Sequence, residues 1–568
     1  MTRTSLILTA LLLSACAPAS AGAAPARAEG FCPRPPWVVD GTQADGRYGT
    51  IAPAGDVNRD GYADVIVGCY NCSNGQTNEG IVRLYLGGPS GLSTTASWSA
   101  ESNQAGAQMA DKLSTAGDVN GDGYDDVVVG AAFYDHGLTD QGAAFLYLGG
   151  PSGLAASPAW TTYGELAGAN YGACSQGAGD VNGDGYDDVI IGSWLYGPAS
   201  EPFEGRAYLY LGSPTGLSTT PAWIGESHSA NAVYGYFCTG AGDLNGDGYG
   251  DVVVGARRFS GNGLSKEGRV YVYYGSPTGL HAAADWIQDG GQPGGEFGES
   301  VSTAGDVNHD GYGDLVVSAF RYDDPETDEG KGYVFMGSAS GLSHTPAWTT
   351  ESNQAGAYWA YHVDTAGDTN GDGYDDVVMS ASQYDIDGFT DAGLAFLYLG
   401  GPAGLDTIPD WVQHGDEDGG GLGNSVRGVG DVDGDGFTEV GTGALYHDIG
   451  TKVDAGRAYV FYGCAHGPLA VGPERVRALE LAAASANPFA SRLRLRLMLP
   501  AEAAVSLAIR DVQGREIAVL HAGVLAAGPA SFEWDGRIAG GASAPAGVYY
   551  AQLRTPFGRR SARLVKLN

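Results

Sequence analysis

One nine-residue pattern, repeated seven times, constrains this chain more than any other feature. Its clearest copy is Asp118-Val119-Asn120-Gly121-Asp122-Gly123-Tyr124-Asp125-Asp126, and the other copies start at Asp56, Asp180, Asp243, Asp306, Asp368 and Asp431. Successive starts lie 62, 62, 63, 63, 62 and 63 residues apart. So regular a period marks a repeated supersecondary unit in which the pattern is one fixed corner.

Oxygen-bearing side chains occupy positions one, three, five and nine of the pattern, and glycine at position six lets the backbone curl around a central point. The ligands expected from side chains are Asp56, Asn58, Asp60 and Asp64 in the first loop, and Asp118, Asn120, Asp122 and Asp126 in the second. The third offers Asp180, Asn182, Asp184 and Asp188; the fourth, Asp243, Asn245, Asp247 and Asp251. In the fifth they are Asp306, Asn308, Asp310 and Asp314, in the sixth Asp368, Asn370, Asp372 and Asp376, and in the seventh Asp431, Asp433, Asp435 and Glu439. Position seven adds a backbone carbonyl, from Tyr62, Tyr124, Tyr186, Tyr249, Tyr312, Tyr374 and Phe437. This all-oxygen set predicts Ca2+, up to seven ions, rather than Mg2+, which keeps more water in a rigid octahedron.

An EF-hand opens in the same way but needs a glutamate at position twelve. The second copy has Val129 there, inside the buried-strand run Val127-Val128-Val129. An ion-free Asx turn is the other alternative, but it leaves three like charges facing one another in each loop. Arg59 is a solvent-facing variant in the first loop. Asp433 and Glu439 replace the usual Asn and closing Asp in the seventh, whose geometry is expected to differ.

Around each loop the unit follows one order. A short extended segment carries Trp37, Trp98, Trp160, Trp223, Trp286, Trp348 or Trp411. An aromatic-glycine corner such as Tyr171-Gly172 comes next, then a strand, the acidic loop, an apolar strand, a variable polar loop and a third strand such as 142–149. Four short strands per unit, seven times over, predict an all-β seven-bladed propeller across residues 31–470, with an open solenoid as the alternative. The chain begins with a Trp strand and its seventh unit lacks one, so the first strand is expected to complete the last blade. That closure would bring Cys32 to Cys464, where a disulfide would lock the ring. Cys69 with Cys72, and Cys174 with Cys238, are further candidate pairs.

The corner, the run 117–131 with its core GDVNGDGYDDVVVGA, and the later glycine-rich strand together resemble the FG-GAP repeats of integrin α-chain propellers. The resemblance implies a calcium-bearing propeller with a face used in cell-surface adhesion or ligand recognition, and it carries the same loop positions over as ligands. Integrin chains bear such loops on only some blades, so integrin partner pairing is not implied.

Residues 471–568 differ in character. Residues 1–472 hold 17 basic and 59 acidic residues, net −42, whereas 473–568 hold 13 and 7, net +6. Alternating runs such as Leu493 to Leu497 predict a small Ig-like β-sandwich. The markers Asn487-Pro488-Phe489, Asp511 to Arg515, Trp534-Asp535-Gly536-Arg537 and Gly547-Val548-Tyr549 resemble the FlgD-type Ig-like domain and type IX secretion sorting domains. That resemblance implies a sorting or anchoring role; a plain stabilising cap is the alternative.

Residues 1–30 read as an export segment: Arg3 precedes the apolar run Leu6 to Leu13, too short to span a bilayer. Leu13-Ser14-Ala15-Cys16 resembles a lipobox, and Ala19-Ser20-Ala21 offers ordinary cleavage instead. The expectation is an exported bacterial protein, on the outer membrane, cell surface or extracellular, touching membrane only through a lipid on Cys16 or through the C-terminal domain. The net charge of −36 argues against nucleic acid. No nucleophile elbow, zinc helix or phosphate-cradling loop is present, so no catalytic residue is assigned and the chain is read as a non-enzyme. The expected partner is a surface protein or glycan; the alternatives are a structural envelope spacer and a polysaccharide-active enzyme or hydrolase.

Overall fold

The computed structural model describes residues 31–32, 34–464, 480–483, 489, 492–499, 503–513, 515–525, 528–538, 542–555 and 558–567. The export segment with Cys16, and Asn487-Pro488, lie outside the described residues.

Described residues up to Cys464 form seven four-stranded antiparallel sheets. Blade two shows the logic. Its innermost strand, Leu113–Gly117, leads into the second acidic loop, and Asp126–Ala131, Ala143–Tyr147 and Trp160–Tyr163 follow outward. The second strand is DVVVGA and is buried throughout, as a β-branched run with a sheet packed on each face must be. The innermost strands touch one another in a ring, and the first of them, Tyr48–Gly55, packs against the last, Leu422–Gly430.

Closure follows the expected route. Trp37–Asp40 pairs antiparallel with Arg457–Phe461, Trp37 opposite Val460 and Asp40 opposite Arg457, and so supplies the outer strand of blade seven. An open solenoid is excluded. The periodic tryptophans are the mortar between blades: each outer-strand indole meets edge-on a third-strand aromatic ring of the next blade. The pairs are Trp37–Tyr85, Trp98–Tyr147, Trp160–Tyr210, Trp223–Tyr273, Trp286–Phe335, Trp348–Tyr398 and Trp411–Phe461, with centroids 4.6 to 5.2 Å apart.

Of the three expected cysteine pairs one is a disulfide, and the other two are corrected to pairs of free thiols. Cys69 and Cys72 form a disulfide. Cys32 and Cys464 are neighbours at the closure, both as thiols; burial, then the adjacent Cys464, pushes the Cys32 thiol up to about 12. Cys174 and Cys238 are also adjacent thiols rather than a bond. The Sγ of Cys174 lies 2.9 Å from the Cys238 carbonyl and accepts from the Cys238 amide at 3.1 Å, and the two thiols interact without a bond between the sulfurs.

The C-terminal unit has a three-stranded sheet of Glu480–Ala483, Leu493–Leu499 and Gly528–Trp534. Its second sheet holds Ala503–Asp511, Glu516–Leu525, Gly547–Thr555 and Gly558–Lys566. Leu493, Leu495 and Leu497 from one sheet share a core with Val505, Leu507, Ile509 and Leu553 from the other, which makes a sandwich. Arg494 and Arg496 alternate outward, exposed. Three of the quoted sequence markers converge, with Phe489 and Tyr549 lying 5.4 and 5.0 Å from Trp534. Glu480–Ala483, Glu516–Leu525 and Gly558–Lys566 were not expected. The run EIAVLHAGVL of the second lacks strict alternation, and its pairing with Ala503–Asp511 carries register shifts.

Candidate metal centre

Each acidic loop joins the first and second strands of its blade, so all seven lie at one end of the propeller. In the second loop, Asp118 Oδ1 accepts from the amides of Gly121 at 2.7 Å and Asp122 at 3.1 Å, and Oδ2 accepts from Gly123 at 2.7 Å. Asn120 Oδ1 takes the Asp122 amide at 2.9 Å, and Asp122 Oδ1 takes the Tyr124 amide at 3.1 Å. These bonds curl the loop so that positions one, three and five turn inward; Asp118 Oδ1 takes two of them, while Asp118 Oδ2 and Asp122 Oδ1 each keep a further lone pair. The curl requires a left-handed residue at position six: φ is 87° at Gly123 and between 87° and 91° at its six equivalents.

Position nine has a second duty. Asp126 Oδ2 accepts from the Val119 amide at 3.1 Å and Oδ1 from the Gly149 amide at 2.8 Å, pinning the loop to the end of the third strand. Asp64, Asp188, Asp251, Asp314 and Asp376 make the same pair of bonds. All six are fully buried. Burial, only partly offset by hydrogen bonds to the carboxylate, pushes each up to about 7, and in five of the six the two loop aspartates at positions one and five add to it.

The seventh loop does differ, by converging most closely. One oxygen from each of Asp431, Asp433, Asp435 and Glu439 lies within 4.8 Å of the others; among the described residues it is the acidic loop whose carboxylates gather in this way. The longer Glu439 reaches further inward than an aspartate. Its Oε2 takes the Val432 amide at 2.6 Å, while Oε1 is buried with no hydrogen-bond partner. Burial, then the three neighbouring aspartates acting against that amide, pushes Glu439 up to about 9. A buried acceptor with no donor, among like charges, fits a hard cation; Arg34 contacts this loop from outside, 2.6 Å from Asp433.

What the sequence reading missed is that the loops are coupled. The position-eight amide of every loop donates to the position-one carbonyl of the preceding loop: Asp125 to Asp56, Asp187 to Asp118, Gly250 to Asp180, Gly313 to Asp243, Asp375 to Asp306, Thr438 to Asp368 and Ala63 to Asp431. Where position eight is aspartate, its side chain returns the bond, as Asp125 Oδ2 does with the Asp56 amide at 2.7 Å. Position-seven rings pack on the preceding loop: a Cβ added to Gly121, Gly183, Gly246, Gly371 or Gly434 would sit 2.4 to 2.6 Å from such a ring. Thus Tyr62, Tyr186, Tyr249, Tyr312 and Phe437 offer more than carbonyls.

At the opposite end lie the variable loops between second and third strands. Phe133, Leu138, Phe203, Phe389 and Val453 are exposed there, by 37 to 56%. Side-chain clamps hold these loops: Gln104 exchanges two hydrogen bonds with the backbone of Asp135, Gln292 with Asp323 and Gln354 with Asp385. Between the two ends runs a cavity of about 390 Å³ lined largely by glycine, alanine, serine and threonine. Its Asp364 is 3.7 Å from Arg427 and accepts from Ser302 at 2.5 Å, so it is a satisfied acceptor.

Comparison with known proteins agrees with this architecture. FG-GAP repeat matches cover residues 113–147, 239–273, 297–335 and 360–398, and FG-GAP-like repeat matches cover 56–129 and 180–254. The FlgD Ig-like domain matches 486–555. Integrin alpha-IIb of Mus musculus is 33% identical over 184 residues, 31% of this chain and 17% of the relative. Integrin alpha pat-2 of Caenorhabditis briggsae is 29% identical over 222 residues, 36% and 17% of the two chains. Phosphatidylinositol-glycan-specific phospholipase D of Mus musculus is 38% identical over 157 residues, 26% and 18%. The chain therefore spans less than a fifth of the length of these relatives. It carries FG-GAP repeats folded as a seven-bladed propeller, followed by a FlgD Ig-like domain.

Proposed function

We propose that this chain is an exported, calcium-binding recognition protein of the cell surface. One end of the propeller holds the ions, and the other captures a protein or glycan. The observation that carries the reading is the division of labour between the ends: seven acidic loops hydrogen-bonded in a closed ring at one, and exposed apolar side chains on clamped loops at the other.

At the metal end the oxygens of positions one, three, five and nine, with the position-seven carbonyl, would hold Ca2+, up to seven ions; bound, the ion supplies positive charge that relieves the repulsion among each loop's carboxylates. The chain's own part is to present those oxygens already curled and to tie each loop to the next. At the other end, loops fixed before binding lose little entropy on capture, and rings such as Phe133, Phe203 and Phe389 offer stacking area to a sugar or an apolar side chain. Export by the N-terminal segment, and retention through Cys16 or the Ig-like domain, would place this face outside the cell. Integrin relatives support the recognition reading. A hydrolase reading draws on the phospholipase D relative and on the titratable groups Asp111, Lys112 and His362 that line a smaller inner cavity, whereas Asp364 of the larger one is already paired with Arg427 and Ser302.

The test is capture by the folded mature protein on an array of glycans and envelope or matrix proteins, in calcium and in chelator, with captured ligands assayed for cleavage. Specific capture that Phe133→Ala, Phe203→Ala and Phe389→Ala abolish together, without turnover, is the expected result. Capture unaffected by the triple variant refutes the assigned face. Turnover refutes the non-enzymatic reading, and neither capture nor turnover favours a structural spacer.

A further inference from the structure

The residue before the glycine that opens each third strand gives an internal comparison across blades. Blades one to five place Glu79, Gln141, Glu204, Glu267 and Glu329 there, all buried. Four of them cap backbone amides. Glu79 takes those of Asn74 and Gln76, Gln141 those of His136 and Leu138, Glu267 those of Gly261 and Gly291, and Glu329 that of Asn353.

Glu204 breaks the pattern. Its loop, 194–205, carries Pro198 and Pro202, which have no N–H to give, and presents a second carboxylate, Glu201. Glu204 is 2% exposed, and its Oε2, like Glu79 Oε2 and Glu329 Oε1, is buried with no hydrogen-bond partner; unlike those two residues it caps no backbone amide and has a second carboxylate beside it. The nearby cation is already engaged: Arg206 pairs with Glu165 at 2.9 Å and with Glu226. The ring of His228 completes the group, with one ligand atom each from Glu201, Glu204 and His228 lying within 4.8 Å of one another. His228 has φ of 50°, and Glu226 Oε2 lies 3.6 Å from its Nδ1.

Two carboxylates side by side, one of them buried and capping no backbone amide, are relieved by a positive charge between them, either a proton they share or a bound cation. An imidazole among the donors selects against calcium, which prefers oxygen throughout, and favours a borderline ion bound by nitrogen and carboxylate oxygen. We propose that Glu201, Glu204 and His228 form a binding site for a divalent transition-metal ion of the zinc class, separate from the seven acidic loops and at the opposite end of the propeller. A carboxylate beside a ligating imidazole, here Glu226, orients the ring. The site brackets Phe203, 47% exposed, so the ion would pin that loop. The site stands whether or not the recognition reading holds, because its test reads metal alone.

The experiment titrates Co2+ into the full chain, free of any histidine tag and held in millimolar calcium, and follows visible ligand-field absorption before displacement by Zn2+. One Co2+ per chain is expected, with absorption lost in Glu204→Gln and affinity lowered at least tenfold in His228→Ala. His228 has an exposed side chain, so this second variant keeps its fold, which near-ultraviolet circular dichroism verifies. No absorption in the unmodified chain, equal absorption in both variants, or displacement of Co2+ by calcium would each overturn the site.

Discussion

The backbone amide of Ala63 donates to the carbonyl of Asp431 at 2.8 Å, joining the first acidic loop to the seventh. Residues 368 positions apart thereby complete a ring in which each loop leans on its neighbour. On the calcium reading proposed above, an ion held in one loop would stiffen the carbonyl on which the next loop rests, which would link calcium to blade packing.

That linkage predicts an effect from a residue that is not itself a ligand. Asp125 Oδ2 caps the amide of Asp56 at 2.7 Å, across the boundary between blades one and two. Asp125→Ala should weaken calcium at the first loop about three- to tenfold, because the part passed on to the ion, out of the roughly 1.5–3 kcal/mol that one hydrogen bond to a charged group supplies, is lost. Calorimetric titration compared with the parent checks this; unchanged binding would separate the loops.

Backbone conformation at position six gives a cleaner test. Gly185 has φ of 87° and nothing within 4 Å of an added Cβ, so Gly185→Ala introduces strain and no clash. A loss of about 1–2 kcal/mol is expected. Gly183→Ala, whose Cβ would sit 2.6 Å from the Tyr249 ring, should cost more. Denaturant midpoints in calcium rank the two.

Ring closure rests on a four-residue strand. Trp37 is 5% exposed, meets Tyr85 at 4.9 Å and donates to the Ser93 carbonyl at 2.9 Å. Trp37→Ala should cost about 3–5 kcal/mol, more than Trp98→Ala, whose indole donor is exposed. Thermal unfolding of both variants measures the difference.

Cys32 and Cys464 stand where a bond would lock that closure. Protein exported into an oxidising compartment should yield a Cys32–Cys464 peptide under non-reducing digestion. Its removal by Cys32→Ser should cost on the order of 5 kcal/mol for so long a loop. Both are thiols in the structure, so finding Cys32 still free, or paired elsewhere, after export and oxidation would contradict this prediction.

The sequence disclosed the parts of this fold that repeat within one unit. The acidic loop, the four strands, the blade count and the exchange of Trp37–Asp40 into blade seven all follow from a period visible in the residues themselves. Contacts between units were not visible. The Tyr186 ring over Gly121 and the Asp125 cap on Asp56 span 65 and 69 residues, and nothing local distinguishes a ring that packs outward from one that only lends its carbonyl. The Glu201, Glu204 and His228 group was hidden for the same reason: it joins one loop to the end of a neighbouring strand, and it stands out only when Glu204 is compared with Glu79 or Glu267 in place.

Calcium bound per chain, read by equilibrium dialysis alongside the thermal midpoint in calcium and in chelator, tests the central claim most directly. Several ions per chain, up to one for each of the seven loops, and a midpoint raised by calcium are predicted. Fewer than one ion per chain at millimolar calcium, with the midpoint unchanged, would contradict the account.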